Sequence, residues 1–152
     1  MRVIIAIVII LVLLALMITL RSIMVNVRRK LSIRVSERFA KEDILLQSLD
    51  ANFFGFKSKG KKQIRGNGAL VLTREELWFS RVLPQMEISI PIRNIRTVKL
   101  VRSHLGKTVF RPLLLVEFFH RGREDAIAWL VKNPEEWQKK IEELRRQDGY
   151  FG

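Results

Sequence analysis

Cysteine is absent from all 152 residues, which excludes disulfides and every cysteine-ligated metal site. That absence fits a domain kept in the reducing cytoplasm. Histidine is nearly absent too. His104 and His120 are the only two, and neither has a partner at metal-ligand spacing, so no zinc site is expected. Long Pro- or Ser-rich linkers and internal repeats are missing. The acidic pairs Glu75-Glu76, Glu124-Asp125, Glu135-Glu136 and Glu142-Glu143 fall in predicted turns or on a helix surface. General acid–base chemistry needs a shielded carboxyl, and no Ser-His-Asp spacing occurs. The chain is therefore not expected to be an enzyme, to hold a cofactor or to take a small-molecule substrate.

One near-motif fails on inspection. Gly55 to Lys62 comes within one residue of a phosphate-binding P-loop, but Lys62 stands where a Ser or Thr would ligate magnesium. A strand pattern follows it instead of a helix. Gly66-x-Gly68 lacks the third glycine of a dinucleotide fingerprint and reads as a turn or bulge.

What the chain has in excess is positive charge, with 28 Lys and Arg against 15 Asp and Glu, a net +13. The cations cluster in acid-free stretches. The first holds Arg21, Arg28, Arg29, Lys30 and Arg34, the second Lys57, Lys59, Lys61, Lys62 and Arg65. A third runs from Arg93 through Arg96, Lys99, Arg102 and Lys107 to Arg111. Such surfaces attract anionic headgroups or nucleic acid. Binders of single strands interleave aromatics with basic residues, and Lys57–Arg65 contains none, so nucleic acid is disfavoured.

Val3–Leu20 is apolar throughout except for Thr19. As a helix it would span about 27 Å, close to the hydrocarbon thickness of a bilayer. No small-x-small cleavage site follows, so a retained transmembrane helix over 3–20 is expected rather than a signal peptide. Arg2 flanks one side, and the basic cluster from Arg21 flanks the other. That bias predicts an N-terminus outside and a body in the cytoplasm, at the plasma or inner membrane. Residues 21–41 read as a basic juxtamembrane linker, helical over Ile23–Val35, with a further helical turn over Ser36–Lys41 capped by Ser36.

The body over 42–148 reads mostly as strand. An extended segment begins at Ile44 and ends near Phe54. Ala69–Thr73 and Leu77–Ser80 flank a polar turn, and Met86, Ile88 and Ile90 alternate with polar residues up to Pro91. Val98 and Leu100 suggest another strand before a turn at Gly106. Leu113–Phe119 and Asp125–Val131 flank the turn His120–Arg123. About seven short antiparallel strands imply a sandwich or barrel. A helix over 134–147 closes the chain: Asn133 caps it, Pro134 opens it, and Glu136 completes a capping-box spacing. Trp137, Ile141 and Leu144 share one face, which predicts Trp137 as a core plug.

Leu113–Val116 and Ile127–Val131 are apolar at both alternating positions. A single-layer core buries only alternate residues, so either both faces are covered or an outer apolar surface serves self-association or a partner. The second alternative is slightly favoured.

Several short segments carry a family likeness. They are Gly66–Thr73 with Leu77-Trp78-Phe79, Ile90-Pro91-Ile92 with Ile95, Leu114–Phe118, Ala126–Val131, and Asn133-Pro134-Glu135-Glu136-Trp137. Together the chain resembles the pleckstrin-homology (PH) superfold, and more narrowly a GRAM-type domain, over about Ile44–Arg146. The resemblance implies a split barrel with a C-terminal helix and a non-enzymatic module for lipids or protein partners. It also implies that Lys57, Lys59, Lys61, Lys62 and Arg65 occupy the first hairpin loop, where related domains hold phosphates. An integral membrane module that meets anionic lipid, a protein partner or a second copy of itself is the expectation.

Overall fold

The structure is a computed structural model, and it describes residues 1–149. Its first element is one unbroken helix, α1 (Arg2–Arg38). No Gly or Pro interrupts this stretch, and the chain leaves it at Phe39 in an extended conformation, φ −124° and ψ 136°. Its two hydroxyls in the apolar part are satisfied within the helix: Thr19 Oγ1 donates to Ala15 O at 2.8 Å and Ser22 Oγ to Ile18 O at 2.9 Å. The expected separate turn over Ser36–Lys41 does not form. Ser36 lies inside α1 and its hydroxyl donates back to Ile33 O, so it caps nothing. A short 3-10 turn over Lys41–Asp43 follows instead.

Seven antiparallel strands then build one curved sheet: β1 (Leu46–Phe56), β2 (Gly66–Leu72), β3 (Glu76–Arg81), β4 (Met86–Pro91), β5 (Ile95–His104), β6 (Lys107–His120) and β7 (Arg123–Leu130). Their order is β4-β3-β2-β1-β7-β6-β5, so the sheet is open only between β4 and β5. The first strand runs two residues beyond the expected Phe54, because it pairs with β2 along its first part and then with β7 through Phe56↔Ile127. Gly66 and Gly68 are strand residues rather than a turn, and opposite Gly68 the pairing is irregular, with the register of β1 shifting between Ser48 and Ala51. A Cβ at Gly68 would meet Ser80 O at 2.4 Å, so only glycine allows β2 and β3 to approach there.

The helix α2 (Pro134–Gln147) lies across the opening. Trp137, Ile141 and Leu144 enter a core with Phe53, Phe79 and Trp129. Gln138 Nε2 donates to Val98 O at 3.1 Å and Arg145 Nε to Ile95 O at 2.9 Å, which fastens α2 to β5. Asn133 does precede α2, but its backbone is left-handed and its side chain makes no capping bond. The reciprocal capping box is replaced by a backbone bond, Glu136 N–H to Asn133 O at 3.0 Å.

The doubly apolar strands are covered on both faces, which overturns the favoured outer-surface alternative. Inward, Leu114, Val116, Ile127 and Trp129 join the main core. Outward, Phe54, Leu113 and Ala128 are fully buried beneath Val101 and Val109, because the β5–β6 hairpin folds over that face. The outer face of β2 and β3 is covered by the second half of α1: Leu31 and Val35 pack on Ala69, Val71 and Trp78. Residues 21–41 therefore do not hang free between a helix and a domain.

Candidate anion-binding surface

The five cations of the β1–β2 loop are held by a frame that the loop builds for itself. Gln63 pins both ends. Its Oε1 accepts Phe56 N–H at 2.8 Å, and its Nε2 donates to Phe56 O at 2.7 Å and to Gly60 O at 2.6 Å. Ser58 donates through its N–H (2.9 Å) and hydroxyl (2.5 Å) to Asp125. At Gly55, φ is 117° and a Cβ would stand 3.0 Å from both Gln63 and Leu105, so the bend beneath the loop requires glycine.

Within this frame the five have different neighbours. Lys57 turns into a mixed-charge concavity shared with Arg96, Lys99, Glu117 and Glu124. There Lys99 pairs with Glu117 at 3.1 Å and Arg96 with Glu124. The Thr97 hydroxyl, then Lys99, holds the Glu117 carboxyl below its usual range. Lys59 lies over the Phe56 ring, 4.7 Å from its centroid. Arg65 lies 3.9 Å over Phe54 and donates to Asn52 Oδ1 at 3.3 Å. All five are exposed and none has an acidic partner among the described residues, but Lys61 and Lys62 alone of the five have neither an aromatic ring nor the Glu117–Glu124 concavity against them.

Two residues from a distant stretch join them. Lys107, at the tip of the β5–β6 hairpin, donates to Gln63 O at 2.9 Å. His104 is buried beneath the loop, with Nε2 3.0 Å from Gly55 O. Burial pushes its pKa down, against the opposing effect of the Gly55 bond, so the ring is neutral at pH 7. Neither residue was legible as part of this surface, because only the folding-over of the hairpin brings them to it. Arg81 supports the other side of the loop. It is buried, donating to Ile64 O at 2.9 Å and Pro84 O at 3.0 Å.

The juxtamembrane cations divide likewise. Arg21, Arg29 and Lys30 are exposed on α1. Arg28 pairs with Asp50 at 3.2 Å, and Arg34 donates to Ser80 Oγ at 3.2 Å and Arg81 O at 3.4 Å. Arg38, at the end of α1, clamps the helix to the sheet. It bridges Glu76 at 3.0 Å and Glu87 at 3.3 Å, and its guanidinium lies 5.6 Å from the Trp78 ring. Trp78 Nε1 in turn donates to Glu87 at 2.8 Å.

Groups that bind peptides by strand addition need an open sheet edge. The edge of β5 is closed here by Gln138 and Arg145 of α2.

No family model matches the chain, and no curated protein matches its sequence. Solved structures do match in shape. The N-terminal PH domain of Vps36 superimposes with a TM-score of 0.52 at 12% identity, covering 72% of this chain and 84% of that one. The body has a PH-like fold. A chain of the 8S snRNP assembly intermediate is also similar, with a TM-score of 0.56 at 10% identity, covering 70% of this chain and 85% of that one. At such identities the PH-like likeness concerns architecture, and function has to be argued from the surface itself.

Proposed function

We propose that the chain is a single-pass membrane protein whose non-enzymatic, GRAM-type PH-like domain stands on the cytoplasmic face of the membrane. There it contacts anionic lipid headgroups through the tip of the β1–β2 loop. One observation carries the reading: α1 passes without a break from an uncovered apolar half to a half packed on the outer face of β2 and β3. Val3–Leu20 is exposed along its length, whereas Leu31 and Val35 are 1% and 3% exposed. Leu20 and Leu31 are about 16 Å apart along the helix axis, so the domain stands close to the headgroups.

Orientation rests on the cation bias, with Arg2 on one side and Arg21, Arg28, Arg29, Lys30 and Arg34 on the other. Near an anionic surface each basic residue contributes about 1 kcal/mol, and Lys61 and Lys62 are the loop cations with no ring or carboxylate-lined concavity against them. Weak contacts suffice because the helix keeps the loop at high local concentration.

Two measurements on the full chain test this. In right-side-out vesicles a C-terminal tag is expected to resist added protease while an N-terminal tag is digested; the reverse pattern overturns the orientation. A photo-crosslinker at position 62 in nanodiscs containing phosphatidylserine is expected to form lipid adducts. Adducts to protein alone would replace the headgroup by a protein partner.

A further inference from the structure

Among the described residues Phe110 is the most exposed large apolar side chain outside α1, at 97%. It lies in β6 with φ at 57°, a backbone conformation that bulky residues avoid. Thr108 holds the distortion: its hydroxyl donates to Arg102 O at 2.7 Å and accepts Phe110 N–H at 3.3 Å. The neighbouring Val109 packs inward against Phe54, Leu113 and Ala128, while the phenyl ring points away from everything. Folding gains nothing from an aromatic ring left in water. A polar residue or glycine would suit that backbone better, so the fold does not account for a phenylalanine there.

Its surroundings do. The hairpin from Val101 to Pro112 contains no acid, and Arg102, Lys107 and Arg111 pair with none among the described residues. Arg111 lines the same cleft as Arg28 of α1. Arg28 stands about 12 Å beyond Leu20 along the helix, about 4–7 Å outside a headgroup layer about 5–8 Å thick, a gap that a long side chain can reach across. An exposed aromatic ring on an acid-free hairpin that carries three cations, one of them lining a cleft with α1, matches the bilayer interface in both apolar and charged character.

We propose that the β5–β6 hairpin is a second membrane contact, in which Phe110 inserts into the interfacial region of the anionic leaflet while Arg102, Lys107 and Arg111 meet its headgroups. This rests on the reading of α1 as a membrane anchor. It differs from the β1–β2 loop contact in requiring penetration rather than surface attraction. The hairpin's own fold is unaffected by the insertion, since Val109 and Leu113 already hold it to the sheet.

The cysteine-free chain lends itself to a direct test. Full-length Phe110→Cys, Phe119→Cys and Leu13→Cys variants, each carrying a polarity-sensitive fluorophore, are reconstituted in phosphatidylcholine–phosphatidylserine bilayers with and without brominated lipid. Phe119 is the control, a half-exposed aromatic on the same strand about 30 Å away. The label at 110 is expected to be quenched by brominated lipid at least about threefold more than the label at 119, in keeping with insertion of about 5–10 Å. Equal quenching at 110 and 119, with strong quenching at 13, overturns the hairpin contact and leaves the anchor standing. No quenching at 13 overturns the anchor and this inference with it.

Discussion

The two halves of α1 share a backbone and no break, yet they meet different surroundings. Every residue from Arg2 to Asn26 is exposed, with apolar side chains on all sides. From Val27 onward the helix becomes one-faced: Val27, Leu31 and Val35 recur every fourth residue against the sheet, and Arg28, Arg34 and Arg38 form polar links beside them. The half apolar all round is long and apolar enough to cross a membrane, whereas a one-sided stripe suits packing on a protein surface. The change occurs within about two turns. The domain is thereby fixed in direction as well as in distance from the proposed membrane, and its two basic hairpins need no flexible search to find a surface.

If the second half of α1 belongs to the domain, its buried residues should cost what those of α2 cost. Trp137→Ala in α2 sets the scale at about 3–5 kcal/mol of unfolding free energy. Leu31→Ala should follow at about 2–4 kcal/mol, since Leu31 covers Trp78. Leu13→Ala should leave the domain's denaturant midpoint unchanged in detergent. A Leu31 variant as stable as the Leu13 variant would return residues 21–41 to the status of a linker. Next in size is Arg38→Met, expected to cost about 1 kcal/mol, because the pairs with Glu76 and Glu87 are partly solvated. Ser36→Ala should change stability by less than about 0.5 kcal/mol, its hydroxyl serving no cap.

The strands and α2 were legible because alternation and the Asn-Pro helix start are local signals. The stripe on α1 was not legible, because buried Leu31 and Val35 and half-buried Val27 sit among cations that read equally well as headgroup contacts. The second apolar face of Leu113–Val116 and Ile127–Val131 was seen, but its cover was not. The folding-over of the β5–β6 hairpin depends on irregular pairing between Val101 and Ser103 and on the positive φ at Phe110, which no residue pattern announces. For the same reason the contact of Lys107 with the β1–β2 loop and the place of His104 beneath it were not legible.

Acidification separates the loop frame from the rest of the domain. His104 has its pKa lowered in the folded state, so the unfolded chain binds the proton more readily. Stability is therefore complete above the ordinary value of 6.5 and declines as pH falls below it. Glu117 is also lowered, so its contribution is present above the ordinary 4.5 and lost as pH drops through its folded value. Both run in one direction but in different windows. His104→Asn should flatten the upper step alone, followed by thermal unfolding between pH 7 and 4.

The central claim is that α1 is a single rigid body joining the bilayer to the PH-like domain. Amide hydrogen exchange of the full chain in anionic nanodiscs reads this directly across Arg21–Arg38. Continuous protection from the apolar half through Val35, comparable with that of β2 and β3, is the predicted result. Rapid exchange over residues 21–30, with protection resuming only inside the sheet, would contradict it.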